Sequence, residues 1–291
     1  MLRLYKYSGA GNDFIVIDGR RRKACALCRA WSLTDEAGLD SYRSAARISE
    51  LCDRRTGVRS PDGRIGADGL MILGDSSRYD FRMEFYNPDG SSGMMCGNGG
   101  RCIVAFAAFL GIAPGEGDIY IFEAPDGPHT GEILRTEGCS YQVRISMTDA
   151  SDMREVSGGV FLNTGTRHFV KFTGNVDEVD VAEEGKALRW DKAFAPEGTN
   201  VNFVSAGEGS LDVRTFEKGV EAETLACGTG VVASAIAAYH KGMEPSGRGE
   251  GGRVRYLVHA RGGILTVDFI PADPAAGIYL TGPAEYVAQL D

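Results

Sequence analysis

The sequence predicts an α/β chain of the α+β kind. It should form two homologous, pseudo-symmetric domains, each a curved mixed or antiparallel sheet around one central apolar helix, with a candidate active-site cleft between them. Three observations carry this expectation. Short β-like segments dominate the chain. Two helical segments are apolar on nearly all faces. The surroundings of those two helices repeat at a spacing of 131 residues.

The β-like segments come first. "LRLYKY", "FIVID", "LMIL", "FRMEFY", "DIYIF", "YQVRISM", "HFVKF", "NVNFV", "LDVRTF", "RVRYLVHA" and "GILTVDFI" are rich in β-branched and aromatic residues and are bounded by Gly, Asp, Asn or Pro. The helical segments, residues 98–110 and 229–241, carry "CIVAFAAFL" and "VVASAIAAY". A helix that is apolar all round must be covered on every side, and a curved sheet is the economical cover.

Residues 20–64 are polar, partly helical near 42–53, and read as an excursion from the first domain. Two Gly/Pro clusters, at 111–117 and 124–131, flank one strand and suggest a domain junction near residue 124. The expected halves are therefore residues 1–123 with 281–291, holding Cys96, and residues 124–280, holding Cys227.

In the 131-residue register Cys96 falls on Cys227, Gly97 on Gly228, Asn98 on Thr229 and Gly99 on Gly230. Ala107 falls on Ala238, Gly111 on Gly242 and, upstream, Phe85 on Phe216. A shared strand before, an apolar helix after and a closing glycine make chance a poor account of the repeat.

Composition narrows the function. The chain has 291 residues, 43% hydrophobic and 24% charged, which is ordinary for a globular protein with ample core material. A net charge of −9 argues against a general nucleic-acid binder, which needs a basic face. The basic run at 19–23 reads as a solvated loop. No secretory signal is visible, and the longest apolar run, 102–113, is too short for a bilayer. The seven cysteines are expected to be free thiols in a reducing, cytoplasmic setting. Cys25 and Cys28 form an isolated C-x-x-C with too few neighbouring ligands for zinc. Cys102 and Cys139 read as core filling.

Cys96 and Cys227 read differently, because each stands at the start of a helix. There the dipole and the unpaired N–H groups favour the thiolate. The same N–H groups can hold a carboxylate, and glycines let backbone come close to it. Two such thiols suit a two-base proton exchange: one removes an α-proton and the other returns a proton to the opposite face. Helix-terminal N–H groups would then stabilise the enediolate.

With these residues placed, the sequence resembles the diaminopimelate epimerases, a family of amino-acid epimerases and racemases that work without pyridoxal phosphate. The motifs are "KYSGAGNDFIVID" (6–18), "IGADGLMIL" (65–73), "FYNPDGSSGMMCGNGGRC" (85–102), "GTNVNF" (198–203), "VRTFEKGVEAETLACGTG" (213–230) and "YLTGPAEYV" (279–287). Proline racemases are similar but typically carry His and Pro where this chain has Asn98 and Ala226.

The resemblance implies that Cys96 and Cys227 are the acid/base thiols and that Asn12, Asn87 and Asn200 bind the substrate's amino and carboxylate groups. Gly97, Asn98, Gly228 and Thr229 would give helix-terminal donors to the α-carboxylate, and Glu217 would take the α-ammonium. Asn202 is left as structural. The substrate implied is a small diamino diacid, LL- or meso-2,6-diaminopimelate, in lysine and peptidoglycan precursor synthesis. A homodimer is implied, and neither nucleic acid nor membrane is expected as a partner. No Rossmann fingerprint, P-loop or metal cluster is apparent, so neither cofactor nor metal is expected.

Three departures from the family pattern stand out. Lys218 replaces the usual Arg after Glu217, keeping the charge but losing the bidentate fork. Thr166 and Arg167 stand where the family has Asn-Pro before a His, here His168; Thr166 can still hydrogen-bond and stays among the substrate-binding candidates, and Arg167 offers a cation that could replace part of the missing Arg. Residues 20–45 and 59–64 look like insertions. The first two leave a related racemase with an altered substrate as the alternative. A one-cysteine hydrolase would leave the second Cys-Gly-Thr-Gly unexplained, and a binding protein would leave both thiols unexplained.

Overall fold

The structure, a computed structural model, describes residues 2–20, 36–115, 117–207, 209–273 and 277–290. The Cys25/Cys28 pair and Arg21, Arg22 and Lys23 of the basic run lie outside the described residues.

The chain forms two compact units, Met1–Val143 with Pro283–Asp291, and Arg144–Gly282. Unit 1 contains β1 (Leu4–Gly9), β2 (Asn12–Asp18), α1 (Glu36–Tyr42), α2 (Ala45–Cys52), β3 (Leu70–Gly74), β4 (Phe81–Tyr86), α3 (Gly97–Phe109), β5 (Ile119–Ala124) and β6 (Gly127–Glu137). The chain leaves this unit within β7 (Ser140–Met147). Unit 2 continues with β8 (Ser151–Val156), β9 (Gly159–Asn163), β10 (Arg167–Phe172), α4 (Val181–Arg189), β11 (Asn200–Ala206), β12 (Leu211–Glu217), β13 (Ala222–Thr224), α5 (Gly228–His240), β14 (Gly247–Arg248), β15 (Val254–Ala260) and β16 (Gly263–Phe269). The chain returns to unit 1 within β17 (Ile278–Leu290).

Each unit repeats one pattern of pairing. In unit 1, β1–β2 is antiparallel, β2–β3 parallel, β3–β4 antiparallel, β4–β5 parallel and β5–β6 antiparallel. In unit 2, β9–β10, β10–β11, β11–β12, β12–β15 and β15–β16 follow the same alternation. Parallel neighbours need a crossover, and each unit places a helix in both. α3 and α5 occupy the second crossovers. α2 and α4 occupy the first. From residue 36 on, the polar stretch read as an excursion is therefore a counterpart of residues 173–199, folded as helices α1 and α2 with their turns.

Helices on both faces explain why every residue of β3 and the five central residues of β2 are buried. Ile15, Ile17, Leu70 and Ile72 pack with Ile48 and Leu51 of α2. The alternate residues turn the other way, and Met71 approaches Gly99 of α3. Fully burying one such side chain contributes about 1.5–3 kcal/mol. In unit 2 the α4 side is mainly aromatic, with Phe161, Phe169, Phe194, Phe203 and Phe216. β5, covered on one face, alternates buried and exposed residues along its length.

The two central helices each span 13 residues, one position earlier than the spacing predicts, because the cysteines themselves are the N-caps. α3 packs on β1, β2, β3 and β6, and α5 on β9 to β12, β15 and β16. Both end on a left-handed glycine, Gly111 at φ 71° and Gly242 at φ 74°. Behind each, the next N–H reaches back to an alanine carbonyl: Ile112 to Ala107 and Met243 to Ala238, both at 3.0 Å.

Several strands carry no clear period-2 signal. β6 starts at Gly127-Pro128, where the Gly/Pro cluster makes a two-residue hairpin from Ala124 to Gly127. β17 runs through Gly282-Pro283, and its register against β1 shifts between Lys6 and Tyr7. Cys102 is fully buried, as expected of core filling, but Cys139 is exposed at the β6–β7 turn and does not fill core. Among the described residues no helix is long and apolar enough to cross a membrane.

Candidate active site

The site in unit 1 begins at a hairpin. Ala10 and Gly11 both have positive φ, 49° and 92°, which makes the tight two-residue turn that presents Asn12 at the start of β2. Asn12 Oδ1 accepts from Asn98 Nδ2 at 2.5 Å, and Asn12 Nδ2 donates to Asp68 Oδ2 at 3.0 Å. Beyond Asp68 lies an ion cluster. Arg54 bridges Asp68 and Asp13, and buried Lys6 pairs with Asp13 and donates to Gly66 O. Burial opposes ionisation of Asp13, but hydrogen bonds from Arg54 and Lys6 outweigh it and hold the carboxyl below its ordinary range.

At the start of α3, Cys96 Sγ accepts from the Gly99 N–H at 3.2 Å. This is the geometry of an N-cap with sulfur as the acceptor. Asn98 is almost wholly buried. Its Oδ1 accepts from Arg101 Nη2 at 2.7 Å, so its amide can face Asn12 in one orientation only. Arg101 also donates to Gly97 O at 3.2 Å and Pro283 O at 3.1 Å. Burial pulls the Arg101 guanidinium down to about 10.

Unit 2 repeats the device with different residues. Thr229, the register mate of Asn98, lies 3.1 Å from Thr166 at the β9–β10 turn, Oγ1 to Oγ1. Thr164 Oγ1 donates to Thr229 O at 2.9 Å, tying that turn to the helix start. His168 is fully buried, with Nε2 2.9 Å from both Thr166 Oγ1 and Thr229 Oγ1. Its Nδ1 lies 3.0 Å from Asn202 Nδ2. The amide of Asn202 is oriented by Thr215, which donates to Oδ1 at 2.9 Å, and by the Phe169 carbonyl 3.4 Å from Nδ2. Nδ1 therefore accepts, and Nε2 carries the proton. Burial pulls His168 down to about 3, so it is neutral at physiological pH. Cys227 caps no N–H with its sulfur, and Sγ sits 3.4 Å from Thr229 Oγ1.

The remaining candidates divide into two groups. Asn200 makes two contacts within the fold, with Nδ2 on Arg167 O and Oδ1 on the Lys218 N–H, both at 2.8 Å. That contact holds the loop after β12, which carries Glu217 at the strand end and exposed Lys218. Asn87 lies in the turn after β4 and donates to Ser91 Oγ at 3.0 Å. Arg167 pairs with Glu197 at 2.6 Å.

Sequence reasoning passed over Arg101, Asp68 and His168 as members of these networks. Arg101 did carry a signal. It is the only charged residue in helix 97–109, which is otherwise apolar on every face, so it had to be buried. Asp68 gave none, because its partners are distant in sequence.

Each half-site offers a thiol at a helix start, first-turn N–H groups with no carbonyl behind them, and an amide or hydroxyl beside the thiol. Such a set can hold a carboxylate and move a proton next to it. The fold matches solved epimerases and their relatives. A hydroxyproline epimerase from Agrobacterium vitis, solved with trans-4-hydroxy-L-proline, superposes with a TM-score of 0.60 at 15% identity, covering 99% of this chain and 91% of that one. A phenazine biosynthesis protein of the PhzF family from Bacillus anthracis gives 0.67 at 13% identity, covering 99% and 97%. These neighbours show the class of fold, and within it each half of this chain places a cysteine at the start of its central helix.

The match can be made more specific. The family model described as diaminopimelate epimerase fits residues 4–148 and 160–287. Diaminopimelate epimerases from Chlorobaculum tepidum and Flavobacterium psychrophilum are 41% and 38% identical, covering 96% and 99% of this chain and 97% and 99% of their own lengths. The chain belongs to the diaminopimelate epimerase family, a family of isomerases.

Proposed function

We propose that this chain interconverts LL- and meso-2,6-diaminopimelate by two-base proton transfer at the α-carbon, with Cys96 and Cys227 as the two bases. The observation that carries the proposal is the pair of 13-residue helices, each N-capped by a cysteine at repeat-related positions.

Inversion requires a proton to leave one face of the α-carbon and another to arrive on the opposite face. One cysteine thiolate takes the α-proton, and the C–H electron pair moves into the carboxylate as an enediolate. The other cysteine, as a thiol, protonates carbon on the opposite face. In this reading the N–H groups of Gly97, Asn98, Gly228 and Thr229 bind the carboxylate oxygens and stabilise the enediolate. Asn12, Asn87 and Asn200 contribute polar contacts, and Glu217 takes the α-ammonium. Thr166 braces Thr229, and Lys218 takes the distal carboxylate. A cytoplasmic location and a homodimer belong to the same reading. The former is supported by Cys52, Cys102 and Cys139, which are free thiols.

Incubation with LL-diaminopimelate in deuterium oxide tests the proposal. Formation of the meso isomer with deuterium at the inverted carbon is expected. Exchange with proline but not with diaminopimelate would replace it with the second reading, a racemase of altered substrate, which Lys218 in place of the usual Arg motivates.

A further inference from the structure

We propose that the buried guanidinium of Arg101 makes Cys96 the resting thiolate and leaves Cys227 as the resting thiol. The inference rests on the acid/base reading above and assigns a direction to it. Arg101 is a positioning residue, one turn behind the cysteine.

Arg101 is fully buried, and its three hydrogen bonds go to neutral oxygens: Gly97 O, Asn98 Oδ1 and Pro283 O. Among the described residues no carboxylate pairs with it. A buried charge needs a counter-charge or must lose its proton, and an arginine gives up its proton only with great difficulty. Its position sharpens the demand. Arg101 sits near the N-terminus of α3, the positive end of the helix dipole, where cations are disfavoured and anions favoured. An anion at the helix start satisfies both the guanidinium and the dipole.

The groups around it leave one candidate. Cys102 is fully buried, and burial drives its thiol far upward, so it stays protonated. On the strands packed against α3, Lys6 and Asp13 pair with each other and with Arg54. On β6, His129 pairs with Asp126 at 3.1 Å. On β17, Glu285 lies 3.4 Å from Ser140 Oγ. Cys96 remains, half-exposed, with its sulfur already accepting the Gly99 N–H.

The second half lacks this cation. In the 131-residue register Arg101 falls on Val232, and α5 carries no charge in its first three turns. Cys227 has the Thr229 hydroxyl at 3.4 Å and makes no sulfur cap. Two bases that share one reaction therefore start from unequal settings. Cys96 accepts the substrate proton first, and Cys227 donates its own. After turnover the protonation is reversed, and exchange with solvent restores the resting form.

The test is site-resolved alkylation of the wild-type enzyme by iodoacetamide across pH 5–10, read by peptide mass spectrometry, with exposed Cys139 as the reference thiol. Cys96 is expected to reach half-maximal rate about one pH unit or more below Cys227. In Arg101→Met the Cys96 midpoint should rise by a similar amount while that of Cys227 stays in place, and Arg101→Lys should recover most of the difference. A Cys227 midpoint at or below that of Cys96 overturns the proposal, and the wild-type comparison alone decides this if Arg101→Met does not fold. An unmoved Cys96 midpoint in a folded Arg101→Met overturns it as well. Failure of the acid/base reading looks different: Cys96→Ser and Cys227→Ser would both keep full turnover, whatever the order of the midpoints.

Discussion

Asn98 Nδ2 donates to Asn12 Oδ1 at 2.5 Å, and the register mate of Asn98 makes the corresponding contact in unit 2, Thr229 to Thr166 at 3.1 Å. In both halves the second residue of the central helix is held by the hairpin that opens the paired strands. A helix start of glycines is entropically costly to order. A side-chain brace from the hairpin lets such a start hold its N–H groups in place.

Replacing either cysteine tests the paired-thiol reading. Cys96→Ser and Cys227→Ser should each lower kcat for epimerisation by about 10²–10⁴, the usual worth of a positioned acid or base. Steady-state turnover with both stereoisomers checks this. A one-cysteine hydrolase would be indifferent to one of the two changes.

The helix-start glycines should respond unequally. At Gly230 an added Cβ would meet Asn202 Oδ1 at 2.4 Å and disturb the amide that orients His168. Gly230→Ala is expected to cost about 1–3 kcal/mol, as overpacking does. At Gly99 the nearest atoms are the Met71 sulfur at 3.3 Å and the Met83 methyl at 3.4 Å, both able to shift. Gly99→Ala should lie within about 1 kcal/mol of neutral, since helix propensity favours alanine. Urea unfolding of both variants separates the cases.

His168 makes a prediction in pH. Its folded value is depressed to about 3 by burial, against an ordinary 6.5. The unfolded chain therefore binds the extra proton first. The contribution is present in full above about 6.5 and is lost progressively as pH falls towards 3. Carboxylates such as Asp13, held low by Arg54 and Lys6, add their own loss only at lower pH. Between pH 7 and 5, unfolding free energy should fall more steeply for wild type than for His168→Gln. Equal slopes would show that His168 does not titrate this way.

Lys218 is expected to govern the distal end of the substrate. Lys218→Ala should reduce kcat/KM for diaminopimelate roughly tenfold to a hundredfold, the scale of one charge-assisted hydrogen bond, mainly through KM. Lys218→Arg should lower KM by restoring a bidentate donor. Initial rates on diaminopimelate, beside an amino acid lacking the second carboxylate, check both. An unchanged KM in Lys218→Ala would remove Lys218 from the substrate contacts.

By itself the sequence determined the repeat. Cys96 and Cys227, the apolar helices after them, and Phe85 with Phe216 before them lie in one register, because a helix that must be buried on every side leaves an unbroken apolar signature. The closing glycines were legible for the same reason, since Gly111 and Gly242 hold φ values that other residues avoid. Only the tertiary structure decided which polar groups meet. Asn12 and Asp68 are 56 residues apart, and His168 and Thr229 are 61 apart. A hydrogen bond between residues so distant leaves no periodicity in the chain. β17 was equally hidden, because Gly282-Pro283 reads as a break and only the partner strand's register absorbs it. The inequality of the two thiols belongs to both levels. Arg101 opposite Val232 is plain in the sequence, but its meaning depends on burial, which removes water and leaves the charge to be met by protein.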